Sequence, residues 1–522
     1  MLARRAPRHT DYLALVALVA LACACYALSV HGPFIFDDEA NIVENPAIRA
    51  LWPPGWLQQG RPVTVLTFAL DYAAFGLDVL GYHVTNVALH AGVVALAFVI
   101  LCDALEDRAL AFVAAALWAV HPLHTSVVVY VVHRYESVAS LLMLGSLATF
   151  VQFARNGATP RARALAVTSV VSSALAMGAK EIAVGLPLLV LAYDRVFIGG
   201  SLRAALVARW RWHAALFATM ATLVALRLRA PVAESQGFGF SDVTPLDYLR
   251  SQLAVVPYYL RLAVWPNPLS FDYFDWPVAR TFASVAAPAL LTFALLGASA
   301  WAWVRRPRVG YVGLVWFVML APTSSIVPLR GELVAERRVY LALIPVVALV
   351  VVAVARAVRE RAAMRAPALL LAGAALVGLA ARTVVRTRDF ATAERAFESV
   401  LAVRPHNTRA RYHLGLAQQR AGKMNDALAS FTRAADDEPR CPACQNNAGV
   451  LLAQANRLPE AEARFAKAVA VQPADASYQI NLAESQLAQK HFEDAQASLT
   501  RALALNPKNR ALNAALVRAQ RR

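Results

Sequence analysis

TRARYHLGLAQQRAGKMNDALASFTRAADDEPRC, residues 408–441, runs without a gap into PACQNNAGVLLAQANRLPEAEARFAKAVAVQPAD, residues 442–475. Laid over one another, the two stretches keep Gly415 and Gly449, Ala427 and Ala461, Phe431 and Phe465, Ala434 and Ala468, and Pro439 and Pro473 in step. The period of 34 residues continues with Ala483, Ala495, Leu499, Ala502 and Pro507, and Pro405 stands one period earlier. Small residues at fixed places let two helices approach, and each closing proline lacks the N–H that would carry a helix onward. The pattern predicts pairs of helices stacked into a solenoid.

A helix–turn–helix period of this length is that of the tetratricopeptide repeat (TPR). Three full repeats occupy 408–441, 442–475 and 476–509, and 510–522 is an Arg-rich capping helix. One period before Ala427 and Phe431 stand Ala393 and Phe397, so 389–405 reads as a half repeat whose partner is the end of the preceding apolar helix, 374–388. The repeat domain is therefore 387–522. His413, Asn447 and Asn481 share one position on the first helix of each unit. First helices line the concave groove of such solenoids, where an amide ladder can hydrogen-bond an extended peptide; ordinary solvated positions are the other reading. Cys441 and Cys444 form a CPAC at a repeat junction. Outside the cytoplasm they could join as a disulfide, and otherwise they are free thiols; two further ligands for a metal are not evident nearby.

Residues 1–386 are of another kind. The chain is 58% hydrophobic, with mean hydropathy +0.47. The excess lies in runs near 20 residues, the length that crosses a bilayer. Candidate spans are 12–30, 83–102, 109–129, 133–154, 164–180, 181–198, 212–229, 285–304, 309–328, 338–356 and 366–385. The chain carries a net charge of +17, and most arginine clusters of 1–386 lie in short linkers between these runs. Placing Arg4, Arg5 and Arg8 in the cytoplasm makes 155–163, 199–211, 305–308 and 357–365 cytoplasmic as well, and each holds three arginines. This is the positive-inside pattern, and it accounts for the basic balance without a nucleic-acid partner. The first run reads as a retained span, because no small-residue cleavage site follows it. Residues 249–266 are apolar but carry Arg250 and Arg261 and are cut by Pro257 and Pro266, so they are expected at the outer interface or as a re-entrant piece. The expected fold is all-α: about eleven spans, then the TPR α-solenoid, with the repeats extracytoplasmic. Abundant Ala and Arg fit a GC-rich bacterial source and hence an inner membrane.

Side chains that could carry chemistry gather at the expected outer ends of these spans. Phe36-Asp37-Asp38-Glu39 follows the first, and crowded carboxylates raise one another's pKa, which suits a general base. Arg61 lies in the first loop. His83, Asn86 and His90 fall on one face of the second span, as polar stripes that face a cavity do. His121 and His124 flank Pro122; Arg134 and Glu136 open the fourth span; Lys180 and Glu181 sit between the fifth and sixth; Glu336, Arg337 and Arg338 precede the tenth. Interhelical salt bridges, such as Arg134–Glu136 or Lys180–Glu181, are the structural alternative.

The order FDDEANIVENP, GRPVTVLTFALDY, YHVTNVALH, HPLHTSVVVYVVHRYES, AKEIAVGLPLLVLAYD, AERRVYL and then TPRs resembles the transmembrane-and-TPR protein O-mannosyltransferase family, within the GT-C glycosyltransferase class. The resemblance spans nearly the whole chain and is loose over 230–280. It implies an integral membrane enzyme that moves mannose from a polyprenyl-phosphate carrier to Ser or Thr of a protein with inversion, and it matches Asp37-Asp38-Glu39 to the acidic motif of the first outer loop.

On this reading Asp38 or Asp37 takes the proton from an acceptor hydroxyl. Arg61, Arg134, Lys180, Arg337 and Arg338 are candidates to hold the departing phosphate, with Arg134 and Arg337 foremost, and His83, Asn86, His90, His121, His124, Glu136, Glu181 and Glu336 support them. His121 and His124 could hold a divalent metal with Asp37, or could form a hydrogen-bonded hinge at Pro122. Expected partners are the lipid-linked sugar, membrane lipid and a protein acceptor in the groove. Two rival functions remain: a membrane-anchored TPR scaffold without activity, and a glycan ligase or polymerase using lipid-linked sugars.

Overall fold

The computed structural model describes residues 9–157, 159–229 and 242–520. Arg4, Arg5 and Arg8, residues 230–241 of the loosely matching central region, and the last two residues of the capping helix lie outside the described residues. Two compact units divide the chain, Met1–Thr392 and Ala393–Arg522. Among the described residues both are built from helices without a strand.

The first unit contains α1 His9–Tyr26, α2 Pro62–Phe75, α3 Val79–Leu105, α4 Arg108–Ala119, α5 Thr125–Val129, α6 Arg134–Asn156, α7 Pro160–Ala179 and α8 Leu186–Tyr193. It continues with α9 Leu202–Ala218, α10 Met220–Arg229, α11 Pro245–Val264, α12 Ala286–Arg305, α13 Pro307–Leu320, α14 Leu343–Arg359 and α15 Ala362–Thr387. Starts are marked by side-chain caps: Asp107 before α4, Thr159 before α7, Ser201 before α9, and Thr244, which exchanges hydrogen bonds with Asp247 at the head of α11.

Among the described residues six helices are long and apolar enough to cross a membrane, and α4 with Pro122–Val129, bent by 50°, passes the same test as a pair, either as one broken span or as a re-entrant loop. These correspond to seven of the eleven candidate spans. The other four fall on shorter or broken pieces. Residues 181–198 are a 3-10 turn, α8 and a π turn; 212–229 divide between α9 and α10; 309–328 and 338–356 hold α13 and α14, of 14 and 17 residues. Leu369, Leu370 and Leu371 on α15 are 72, 74 and 66% exposed. Three adjacent leucines bare on one helix suit lipid rather than water.

Segment 249–266 is not among the helices long and apolar enough to cross a membrane. It falls mostly on one helix, α11, which has Pro257 inside it and ends at Val264, two residues before Pro266. Packing overrides the missing hydrogen bond there. Tyr248 donates from its hydroxyl to Thr323 O at 2.6 Å, and the Tyr259 hydroxyl accepts from Ala335 N at 2.8 Å.

The second unit is the solenoid: α16 Ala393–Val403, α17 Thr408–Arg420, α18 Met424–Asp437, α19 Pro442–Gln454, α20 Leu458–Val471, α21 Ala476–Ala488, α22 Phe492–Leu505 and α23 Arg510–Gln520. The repeat positions have a steric cause. A Cβ on Gly415 would stand 2.7 Å from the Phe431 ring, and one on Gly449 the same distance from Phe465. Ala427, Ala434, Ala461, Ala468, Ala495 and Ala502 are all fully buried. In the third repeat Ala483 replaces the glycine and the smaller Leu499 replaces the ring. Cys441 and Cys444 are joined by a disulfide at the start of α19.

Candidate functional site

The acidic triplet is divided by the backbone. Phe36 adopts a positive φ of 50°, and the turn sends its neighbours in opposite directions. Asp38 is fully buried. Its Oδ2 accepts from Ile35 N at 3.0 Å and its Oδ1 from Val132 N at 2.7 Å, so it fastens the first loop to the stretch before α6. Burial pushes its carboxyl up to about 8, against the pull of those two donors, and the neighbouring Asp37 charge adds to the rise. Asp37 is exposed at its side chain, while its backbone N–H donates to the Tyr130 hydroxyl at 2.8 Å. Glu39 is half-buried and opens a π turn.

From Tyr130 a run of rings leads to a cluster of cations. Tyr130 and His133 stand 4.2 Å apart between centroids, and His133 and Tyr135 5.6 Å. Three cations surround the Tyr135 ring: Arg61 at 4.5 Å, Lys180 at 4.8 Å and Arg337 at 6.0 Å. A carboxylate holds each. Arg61 pairs with Glu181 at 3.1 Å, Lys180 with Glu136, and Arg337 with Glu332 at 2.6 Å; Arg227 also reaches Glu181. Four cations therefore face three carboxylates. Lys180 is 3% exposed and spent on its pair, whereas Arg61 and Arg337, at 30 and 12%, keep a face toward solvent. Such a set of fixed guanidiniums suits an anion with several oxygens.

Other candidates from the sequence are placed elsewhere, in ties between segments. Arg134 is fully buried and all its directions are taken: Asn86 Oδ1 at 2.6 Å, Tyr82 O at 2.8 Å, Thr67 O at 3.2 Å and Asp71 at 2.6 Å. This removes it from the phosphate ligands, because no donor points outward. Arg338 holds the Glu332 and Leu333 carbonyls, and Glu336 accepts from Ser270 N and the Tyr273 hydroxyl while pairing with buried Arg386 at 2.6 Å. The stripe of His83, Asn86 and His90 faces protein rather than a cavity. His83 meets Gly32 O at 3.0 Å, Asn86 donates to Val128 O at 3.2 Å, and His90 bridges the Tyr340 hydroxyl and Ala119 O. His121 accepts from Leu123 N and contacts Ala263 O, and His124 packs between Trp118 and Tyr340. His121 thus caps the turn that begins at Pro122, and among the described residues no group of three His, Cys, Asp or Glu is placed to hold a metal ion.

Sequence reading missed Tyr130, Tyr135, Glu332 and Arg227 as members of the cluster. Tyr130 and Tyr135 flank the HR dipeptide inside a quoted motif, and a tyrosine every few residues beside charged ones was the available signal. Arg227 and Glu332 gave none, being joined to the site only by folding.

In the solenoid Asn447 donates to the Tyr412 hydroxyl at 3.2 Å, Asn481 to Asn446 Oδ1 at 2.7 Å, and His413 stacks on Phe397 at 5.3 Å. The three positions are half-buried and contact side chains of the preceding helices. Asn446, not singled out from the sequence, belongs to the same ladder.

A tetratricopeptide-repeat family profile matches residues 379–439 and 414–478. Protein O-mannosyl-transferase TMTC4 of Homo sapiens is 27% identical over 79% of this chain and 64% of its own length. TMTC1 of Homo sapiens is 36% identical over 24% of this chain and 16% of its own length. The chain thus spans less than two thirds of these curated relatives. Among solved structures, the first TPR of Spaghetti (RPAP3) bound to an HSP90 peptide is 20% identical, covers 22% of this chain and 90% of that one, and has a TM-score of 0.21. TTC0263, a thermophilic TPR protein of Thermus thermophilus, is 21% identical over 33% of this chain and 89% of its own, with a TM-score of 0.21. Over 79% of its length the chain is similar in sequence to the protein O-mannosyltransferases that combine a transmembrane part with TPR repeats, the family its motif order implied.

Proposed function

We propose that the protein is a GT-C-type membrane enzyme that moves mannose from a polyprenyl-phosphate carrier to Ser or Thr hydroxyls of exported proteins. The N-terminus lies in the cytoplasm, and Asp37, the Tyr135 cluster and the repeats lie on the opposite side of the inner membrane. The carrying observation is the chain of contacts from exposed Asp37 through Tyr130 and His133 to Tyr135 and its three cations. It supports a proton acceptor and a phosphate clamp within one site, and the names of the relatives support the sugar and acceptor.

Asp37 is the base, because its carboxylate meets solvent while that of Asp38 is enclosed. It takes the hydroxyl proton as the acceptor oxygen bonds to the anomeric carbon from the face opposite the phosphate. The bond from that carbon to the phosphate oxygen breaks, and the electron pair leaves with the carrier. Arg61 and Arg337 meet the charge that appears on the phosphate, with Lys180 behind them. Asp38 positions the loop. The solenoid presents the polypeptide through His413, Asn447 and Asn481.

Intact-mass analysis of exported proteins from cells with and without the chain tests this. A hexose-sized gain on Ser or Thr that needs Asp37 is the expected result; identical masses in the two cell lines would overturn it.

A further inference from the structure

A second site lies in the first unit, away from the acidic loop. A cavity of about 1000 Å³ opens among α3, α4, α6, α8, α13, α14 and α15. Its walls are mostly apolar, with Leu101, Met143, Leu186 and Ile344 among the lining residues. The charged residues of its lining are Arg308, Arg356, Arg359, Arg365 and one carboxylate, Asp107, and they stand at the start of α13, the end of α14, the start of α15 and just before α4. Asp107 is committed to capping α4 through Ala109 N and Leu110 N, at 3.0 and 3.1 Å. Arg308 shares itself with Glu106 at 3.2 Å, and Arg365 donates to the backbone carbonyl of Arg359 at 2.7 Å, which fixes the Arg365 guanidinium at the end of α14. All four arginines are exposed.

An apolar cleft that is open along α14 and α15, where Leu369 and Leu371 are exposed, and that carries a basic rim has one natural class of guest, a lipid whose phosphate meets the rim while its chains lie along the apolar walls. We propose that this cleft binds an anionic glycerophospholipid, its acyl chains within the cavity and its phosphate among Arg308, Arg356, Arg359 and Arg365. The occupant follows from sidedness, which rests on the topology given under Proposed function. The rim comes from the basic linkers 305–308 and 357–365 and from Arg356 in the last turn of α14, at the cytoplasmic ends of α13, α14 and α15 on that topology, opposite Asp37. A carrier lipid seated there would hold its sugar on the wrong side of the membrane for transfer. A phospholipid of the inner leaflet meets no such conflict, and it would wedge α14 and α15 apart at a fixed spacing.

The test uses the full chain in mild detergent, followed by native mass spectrometry during titration with dioleoylphosphatidylglycerol or dioleoylphosphatidylcholine. The wild type is expected to retain one phosphatidylglycerol in clear preference to phosphatidylcholine. Each basic residue near an anionic headgroup contributes roughly fivefold, so the R356Q/R359Q/R365Q variant should lose at least about tenfold of that preference. Ala348→Trp, which fills the wall, should weaken both lipids alike. Equal binding of the two lipids by the wild type, or an unchanged preference in the triple variant, overturns the proposal. So does displacement of phosphatidylglycerol by an equal amount of undecaprenyl phosphate, which would make the cleft the carrier's own. The mass gain on exported proteins, read on the same triple variant, separates the two readings: lost selectivity with transfer intact supports the lipid site, whereas absent transfer in the wild type counts against the enzyme reading alone.

Discussion

The Arg61 guanidinium lies over the Tyr135 ring, 4.5 Å from its centroid, and Lys180 and Arg337 approach the same ring. Arg61 precedes α2, Tyr135 belongs to α6, and Arg337 lies just ahead of α14, so one aromatic side chain gathers cations from distant stretches of sequence. A cation over an aromatic face gains about 0.5–2 kcal/mol, more as water is excluded. Tyr135→Leu should therefore leave the chain folded yet loosen the clamp. Arg337→Gln should cut kcat/KM for the lipid donor by about 100-fold, the loss typical of one oriented donor on a developing charge. A donor-independent drop in protein level would instead assign Arg337 a folding role.

Asp37→Asn removes the proposed base and should lower the rate of transfer by about 10²–10⁴-fold, with membrane insertion and repeat folding unchanged. Asp38→Asn should act differently. Its Oδ1 can still accept from Val132, but the amide nitrogen cannot accept from Ile35 N, and the lost bond loosens the loop rather than the chemistry. A transfer assay on both variants decides between them; full activity in Asp37→Asn would return the role to Asp38.

The titration of Asp38 carries a second expectation. Its folded carboxyl stands at about 8, while the unfolded one keeps its ordinary value near 4. Between those values the folded form holds a proton that the unfolded form has released, so rising pH favours unfolding. At pH 5 wild type should be more stable than Asp38→Asn, by about 1–3 kcal/mol for the unmet donor. That gap should narrow toward pH 8, because only the wild type carries the buried titration. Apparent melting temperature against pH, measured for both in detergent, checks the sign; a gap that widens with pH would refute it.

Lys180 and Glu136 are 3 and 2% exposed, so removing one strands the other. Lys180→Met should destabilise by about 3–5 kcal/mol, and adding Glu136→Met should recover much of the loss, since a buried pair is replaced well by apolar groups. Thermal stability of the single and double variants reads this without any assay of transfer. Additive losses would mean that the two side chains do not depend on one another.

The repeat period was legible because its cause is local and repeated: a glycine under Phe431 and Phe465, an alanine where helices touch, a proline after each second helix; the compact second unit begins at Ala393, six residues after the expected start at 387. The six strongest spans were legible for a similar reason, since length and apolarity belong to one segment at a time. The site was legible only as a set of charged residues. Nothing in the order His133-Arg134-Tyr135-Glu136 tells that Arg134 turns inward to Asn86 and Asp71 while Tyr135 faces Arg61. That division depends on α3 and α2 packing beside α6, which composition does not encode. Pro257 shows the converse: a local rule against helix is outweighed in α11, whose Tyr248 and Tyr259 hydroxyls bond Thr323 O and Ala335 N.

The amide ladder of the repeats gives the last prediction, because it separates functions as well as residues. Asn447 and Asn481 already bond Tyr412 and Asn446, so a peptide in the groove must accept from or displace bonds that exist. Each hydrogen bond nets about 1 kcal/mol. The combined H413A/N447A/N481A variant should then weaken binding of an unfolded Ser/Thr-rich acceptor by about tenfold or more, with donor hydrolysis at the membrane site unchanged. An enzyme that extends or ligates glycans has no use for a peptide groove, and in it the triple change would leave acceptor turnover untouched. A scaffold without activity would lose partners through the same change yet tolerate Asp37→Asn. Acceptor affinity, donor hydrolysis and exported-protein mass, measured on these two variants, therefore return a different pattern for each of the three functions.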